Sequence, residues 1–99
     1  MLGWAEWQTL FYRNAVADNR ISPTHISLYF ALLHEAGHTL TIPFYLMRTT
    51  VMQKAKISSP VTLNRCLKEL HLYGYIDYRP SYRPGRSMVG LIPLDTDFV

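Results

Sequence analysis

The sequence predicts an α+β fold, mainly α, in which two N-terminal helices precede a closely spaced helix pair and a small antiparallel sheet ending in a basic β-hairpin. Three observations carry that prediction. Ser22-Pro23 and Ser59-Pro60 each set a capping hydroxyl before a proline, whose missing N–H would be unpaired at a first helical position anyway. Leu63, Cys66, Leu67 and Leu70 recur at the i, i+3, i+4, i+7 spacing of one buried helical face. Beyond Gly74, which suits a left-handed stop, residues 75–79 and 87–92 read as two strands around a turn-rich tip at residues 80–86.

In chain order, residues 4 to about 17 form the first expected helix. Trp4, Trp7, Phe11 and Ala15 make its apolar stripe, with Leu10 on the shoulder. The stripe suits either the chain's own core or a homodimer seam, since two tryptophans are a large apolar surface for one terminal helix. Asp18-Asn19-Arg20 breaks the pattern. The second helix runs from Pro23 to about Glu35, centred on Ile26, Phe30 and Leu33 and widened by Tyr29 and Leu32. Gly37 ends it. Residues 41–46 read as a short extended segment that Pro43 confines to a sheet edge, where it supplies a third strand. A short helix over residues 48–56 offers Val51, Met52 and Ala55 to the interior. Ile57-Ser58-Ser59 joins it to the next helix, without the glycine often found in such turns.

Length and composition bound the functions open to this chain. Ninety-nine residues suffice for one domain, expected over 1–99, and are too few for two independent cores. With 48% hydrophobic, 13% aromatic and 17% charged residues, a packed fold rather than disorder is expected. No apolar run is long enough to span a bilayer and no secretory start is recognisable, so the expected location is the cytoplasm. The lone Cys66 rules out an intrachain disulfide and a cysteine-based zinc site. The net charge of +3 is unevenly spread. Residues 1–46 hold two basic side chains against three acidic, whereas residues 47–90 hold eight against two. Positive charge therefore gathers on the helix pair and hairpin, as a nucleic-acid footprint requires.

One motif points elsewhere. His34-Glu35-Ala36-Gly37-His38 matches H-E-x-x-H, in which two histidines on one helical face grip zinc and the glutamate activates the bound water. It also resembles the active-site pentapeptide of membrane-associated ATP-dependent zinc proteases. A catalytic zinc takes a third protein ligand, and none follows in a recognisable motif. His34 and His38 also fall on the flank of the second helix, where solvated polar residues are expected. The expectation is accordingly no enzyme, no metal and no cofactor.

Helix, tight stop and basic hairpin together read as a winged helix-turn-helix. Residues 1–20 form its N-terminal helix, residues 48–73 the helix-turn-helix and residues 75–93 the wing. Residues 21–94 resemble the winged-helix DNA-binding domains of small bacterial regulators. Ser22-Pro23-Thr24-His25-Ile26-Ser27-Leu28-Tyr29, residues 56–78 and Pro80-Ser81-Tyr82-Arg83-Pro84 resemble short winged-helix proteins of bacterial conjugative and mobile elements.

The resemblance implies double-stranded DNA as partner, with the recognition helix in the major groove. Asn64 and Arg65 are then the base readers, pairing with adenine and guanine, and Val61 meets a thymine methyl group, with Thr62 beside them. Ser58, Ser59, Lys54, Lys56 and Lys68 suit phosphates, while Arg79, Arg83 and Arg86 surround a wing tip that enters or flanks the minor groove. Tyr78 and Tyr82 support the wing or bond phosphates. A homodimer would place two such helices about 34 Å apart on paired half-sites. Neither a membrane nor a small-molecule partner is expected. The rival functions are a protein-interaction module in a replication or transfer complex and, less well supported, a minimal zinc hydrolase built on the His34–His38 motif.

Overall fold

Helix boundaries in the computed structural model, which describes residues 3–94, follow the start and stop signals of the sequence. Helix α1 (Trp4–Ala17) turns its stripe inward: Trp7, Leu10, Phe11 and Ala15 are buried and Trp4 partly so. Phe11 stacks on Tyr29 with ring centroids 3.7 Å apart, and the Trp7 indole N–H donates to the Tyr29 hydroxyl at 2.7 Å. The stripe is thus consumed by the chain's own core. The homodimer seam expected there is not available, because Phe11 has no exposed surface left and Trp7 only 3%.

Helix α2 (Pro23–Ala36) starts at Ser22, whose hydroxyl accepts the His25 N–H while the Ser22 N–H donates to His25 Nδ1 at 2.9 Å. This is a capping box with histidine in the place usually taken by Glu or Gln. The buried face does not centre where the sequence suggested. Leu28, Tyr29, Leu32 and Leu33 are fully buried, joined by His25, Ala31 and Ala36, whereas Ile26 and Phe30 lie at the edge of the core. The periodicity of the largest side chains misplaced the stripe because this helix is covered from several sides. Phe11 and Trp7 reach it from α1, and Ser27 bonds the carbonyl of Ala55 beyond it. Gly37 closes α2 with φ 61°, a conformation that favours glycine.

Strand β1 (Phe44–Tyr45) is shorter than the expected extended segment. It pairs antiparallel with β3 (Met88–Leu91), which also pairs with β2 (Ile76–Arg79), in the order β1-β3-β2. The register sets Tyr78 opposite Val89 and Ile76 opposite Leu91, and all four side chains are buried. Pairing extends past the strand ends, since the Ile92 N–H donates to the Tyr75 carbonyl. Helices α3 (Arg48–Ala55) and α4 (Pro60–Leu72) lie between β1 and β2 in the chain. The turn after α3 needs one left-handed residue, and Lys56 supplies it with φ 60° and ψ 37°. Among the described residues, four helices and a small open antiparallel sheet make this a mainly helical α+β fold. Among the described residues no helix is long and apolar enough to cross a membrane.

Candidate nucleic-acid interface

Helix α4 carries the candidate site. Its start is sharp, with the Ser59 hydroxyl accepting the Thr62 N–H and Pro60 in the first turn. Leu63, Cys66, Leu67 and Leu70 are buried. Burial pushes the Cys66 thiol up, leaving it a packing group rather than a thiolate. On the far side Val61, Arg65, Lys68 and Leu72 form an exposed strip, Val61 at 76%. An isolated aliphatic group this open gains nothing from the fold.

Two half-buried residues border the strip. On the hairpin side, Arg48 at the start of α3 donates through Nη1 to Asn64 Oδ1 at 2.5 Å and through Nη2 to the Tyr78 hydroxyl at 2.9 Å. One planar guanidinium therefore joins α3, α4 and β2. His71 Nδ1, accepting the Tyr78 N–H at 3.0 Å, fastens the end of α4 to the same strand. On the α2 side, Glu69 Oε1 lies 2.9 Å from His25 Nε2 and 3.3 Å from Arg65 Nη1. Because His25 Nδ1 accepts the Ser22 N–H, the ring's proton resides on Nε2, which donates to Glu69. His25, Cys66 and Glu69 bring their ligand atoms within 4.8 Å of one another, yet a metal at Nε2 would have to displace that proton with no free position for it on Nδ1.

The hairpin tip is held by two serines. The buried Ser87 hydroxyl accepts the Ser81 N–H at 3.0 Å, and the Ser81 hydroxyl accepts the Arg83 N–H at 3.2 Å. Gly85, at φ 74°, allows the reversal that leaves Tyr82, Arg83 and Arg86 exposed. A cavity of about 300 Å³ separates the tip from the start of α3, lined by Arg48, Thr49, Thr50, Tyr82 and Arg83 among others.

Several residues singled out in the sequence are differently employed. Asn64 has its carbonyl on Arg48, so the oxygen that the expected adenine pairing would use already accepts one bond within the fold. Ser59 spends its side chain on the helix cap, while Ser58 is exposed beside it. Lys54 turns away toward α2, 2.6 Å from Glu35 and 3.0 Å from His34 Nδ1. Lys56 is exposed at the turn, and Arg79 folds back on Asp77 at 3.0 Å. Tyr78 is buried and serves the hairpin by packing, its hydroxyl taken by Arg48, whereas Tyr82 is free on the tip. Arg65, Lys68, Arg83 and Arg86 keep exposed cationic groups, and Thr62 is half-buried at the edge of α4. The His34–His38 motif does not form its metal-gripping geometry: α2 ends at Ala36, and His38 lies beyond Gly37, outside the helix.

Sequence reasoning passed over Arg48, His25 and Glu69 as parts of the site. Only the local cap at Ser22 hinted at His25, three residues on. The chain matches no protein-family model, no curated protein and no solved structure at a significant level.

Proposed function

We propose that this chain is a winged helix-turn-helix that binds double-stranded DNA sequence-specifically, with α4 as recognition helix and the β2–β3 hairpin as wing. The observation that carries this reading is the exposed Val61, Arg65 and Lys68 strip on a helix pinned along both flanks. A rigid helix presenting Val61, Arg65 and Lys68 in succession suits a major groove, where thymine methyls, guanine edges and phosphates lie side by side. The exposed Arg83 and Arg86 on the adjacent tip extend the same charge. A role as a small bacterial transcriptional or mobile-element regulator rests on the sequence resemblance.

A second reading, a winged helix used as a protein-interaction module, is favoured by Ile42, Tyr45 and Met47, each at least half exposed in or beside the edge strand β1. Fluorescence anisotropy of a labelled random duplex, titrated at several salt concentrations, separates the two. A DNA-binding chain loses affinity as salt rises, with a log–log slope of about −0.9 per phosphate neutralised. Changing Arg65 and Arg86 to Ala together weakens binding and flattens that slope. Absence of binding at low salt sinks the DNA reading and leaves the β1 edge as the surface to pursue.

A further inference from the structure

The bond between Arg48 and Asn64 determines what Asn64 can show to a ligand. A guanidinium has donors only, so the amide atom 2.5 Å from Arg48 Nη1 must be the carbonyl oxygen. With Oδ1 turned inward on α3, the opposite end of the planar amide is Nδ2, which carries two donors and no acceptor. Among the described residues Nδ2 has no hydrogen-bond partner, and no side-chain nitrogen or oxygen is buried without one, so Nδ2 is open to solvent. Asn64 stands one turn from Val61 and Lys68 on the exposed side of α4, at the edge nearest β2.

We infer that Asn64 is a donor-only base reader, selecting a base edge that accepts in the major groove (guanine O6 or N7, or thymine O4) and rejecting cytosine, and that Arg48 is the positioning residue that imposes this choice. The inference rests on the DNA-binding reading above and deepens it. An asparagine free to rotate prefers adenine, because its amide matches the N6 donor and N7 acceptor together. Here Oδ1 is held toward Arg48 by a charge-assisted bond in a half-buried junction that Arg48 also ties to Tyr78, so turning the amide to face both adenine groups costs that bond. Adenine keeps one acceptor, N7, and ranks between the favoured bases and cytosine, which presents only its N4 donor at this edge.

The test is selection from a randomised duplex pool followed by sequencing, with the wild-type chain, Asn64→Ala and Arg48→Met. Comparison with Asn64→Ala identifies the base position that depends on Asn64. At that position wild type is expected to favour guanine or thymine over cytosine by about tenfold. Arg48→Met frees Oδ1 and shifts the preference to adenine, while base preferences set by other residues persist. Should Arg48→Met fail to fold by circular dichroism, wild type against Asn64→Ala still decides the matter. Adenine favoured by wild type at the Asn64-dependent position, or no such position at all, overturns the inference while leaving DNA binding intact. No salt-sensitive binding to any duplex overturns the DNA-binding reading and this inference together.

Discussion

The two flanks of α4 are pinned by opposite arrangements of charge. On the hairpin side a guanidinium, Arg48, donates to two neutral acceptors, the Asn64 carbonyl and the Tyr78 hydroxyl. On the α2 side a carboxylate, Glu69, accepts from His25 within the fold and from Arg65 on its surface. The first arrangement engages the acceptor of Asn64, whose oxygen bonds Arg48. The second removes charge from the outer face, because Glu69 partly neutralises Arg65. What α4 offers a ligand is therefore decided by residues that stand behind it.

Breaking the α2 side has the larger effect on stability. His25→Ala removes half of the α2 capping box, the donor to Glu69 and a buried ring packed edge-on against Tyr73. A loss of about 2–3 kcal/mol in urea denaturation is expected. Breaking the hairpin side with Arg48→Met leaves the Asn64 carbonyl and the nearly buried Tyr78 hydroxyl without their donor, at a cost of about 1–2 kcal/mol in the same experiment. If the order of these two is reversed, Arg48 rather than the capped histidine is the chief brace of the helix.

An acid titration sharpens the contrast from outside both flanks. Bonds from Arg20 hold the Asp18 carboxyl well below the usual carboxylate range, and the Tyr75 hydroxyl, itself pushed up to about 12 mainly by burial, donates to the same group. A carboxyl depressed on folding contributes stability above its unfolded value, and that contribution fades as pH falls through the folded one. Wild type is thus expected to lose stability below about pH 4, and Asp18→Asn to lose less over the same interval, as read by denaturation midpoints against pH.

The smallest change tests what Glu69 does outwardly. Glu69→Gln keeps an oxygen for the His25 Nε2–H but gives up the ion pair with the exposed Arg65. Stability should move by less than about 0.5 kcal/mol. Affinity for random duplex at low salt should rise by a few fold, since one negative charge has left the face and Arg65 is released. Unchanged affinity would mean that Arg65 is as available with Glu69 present as without it.

How much of this was legible in the sequence depends on how far apart the partners are. Ser22-Pro23 and Ser59-Pro60 marked helix starts because a cap acts within three residues, and Gly37 and Gly74 marked stops because their backbone conformations have positive φ. The buried face of α4 followed from its own periodicity. The bonds that shape the site span greater distances: His25 to Glu69 is 44 residues, Arg48 to Tyr78 is 30. No local pattern announces them, because tertiary packing alone brings those groups together. The same limit explains the misplaced stripe of α2, whose burial is set by three neighbours rather than by one. It also explains Asn64, whose residue type suggested a two-bond reader until a remote arginine took one of its atoms.

The Trp7–Tyr29 bond of the core has a practical consequence at the bench. Both tryptophans of the chain belong to α1, one buried on Tyr29 and one set edge-on to His34, and neither stands on α4 or the hairpin. Intrinsic emission is thus an optical gauge of whether the core is assembled, read without a label on the protein. In tests of the proposed DNA binding, a variant that binds less with its tryptophan spectrum intact has lost a contact; one whose spectrum shifts to the red has lost its fold.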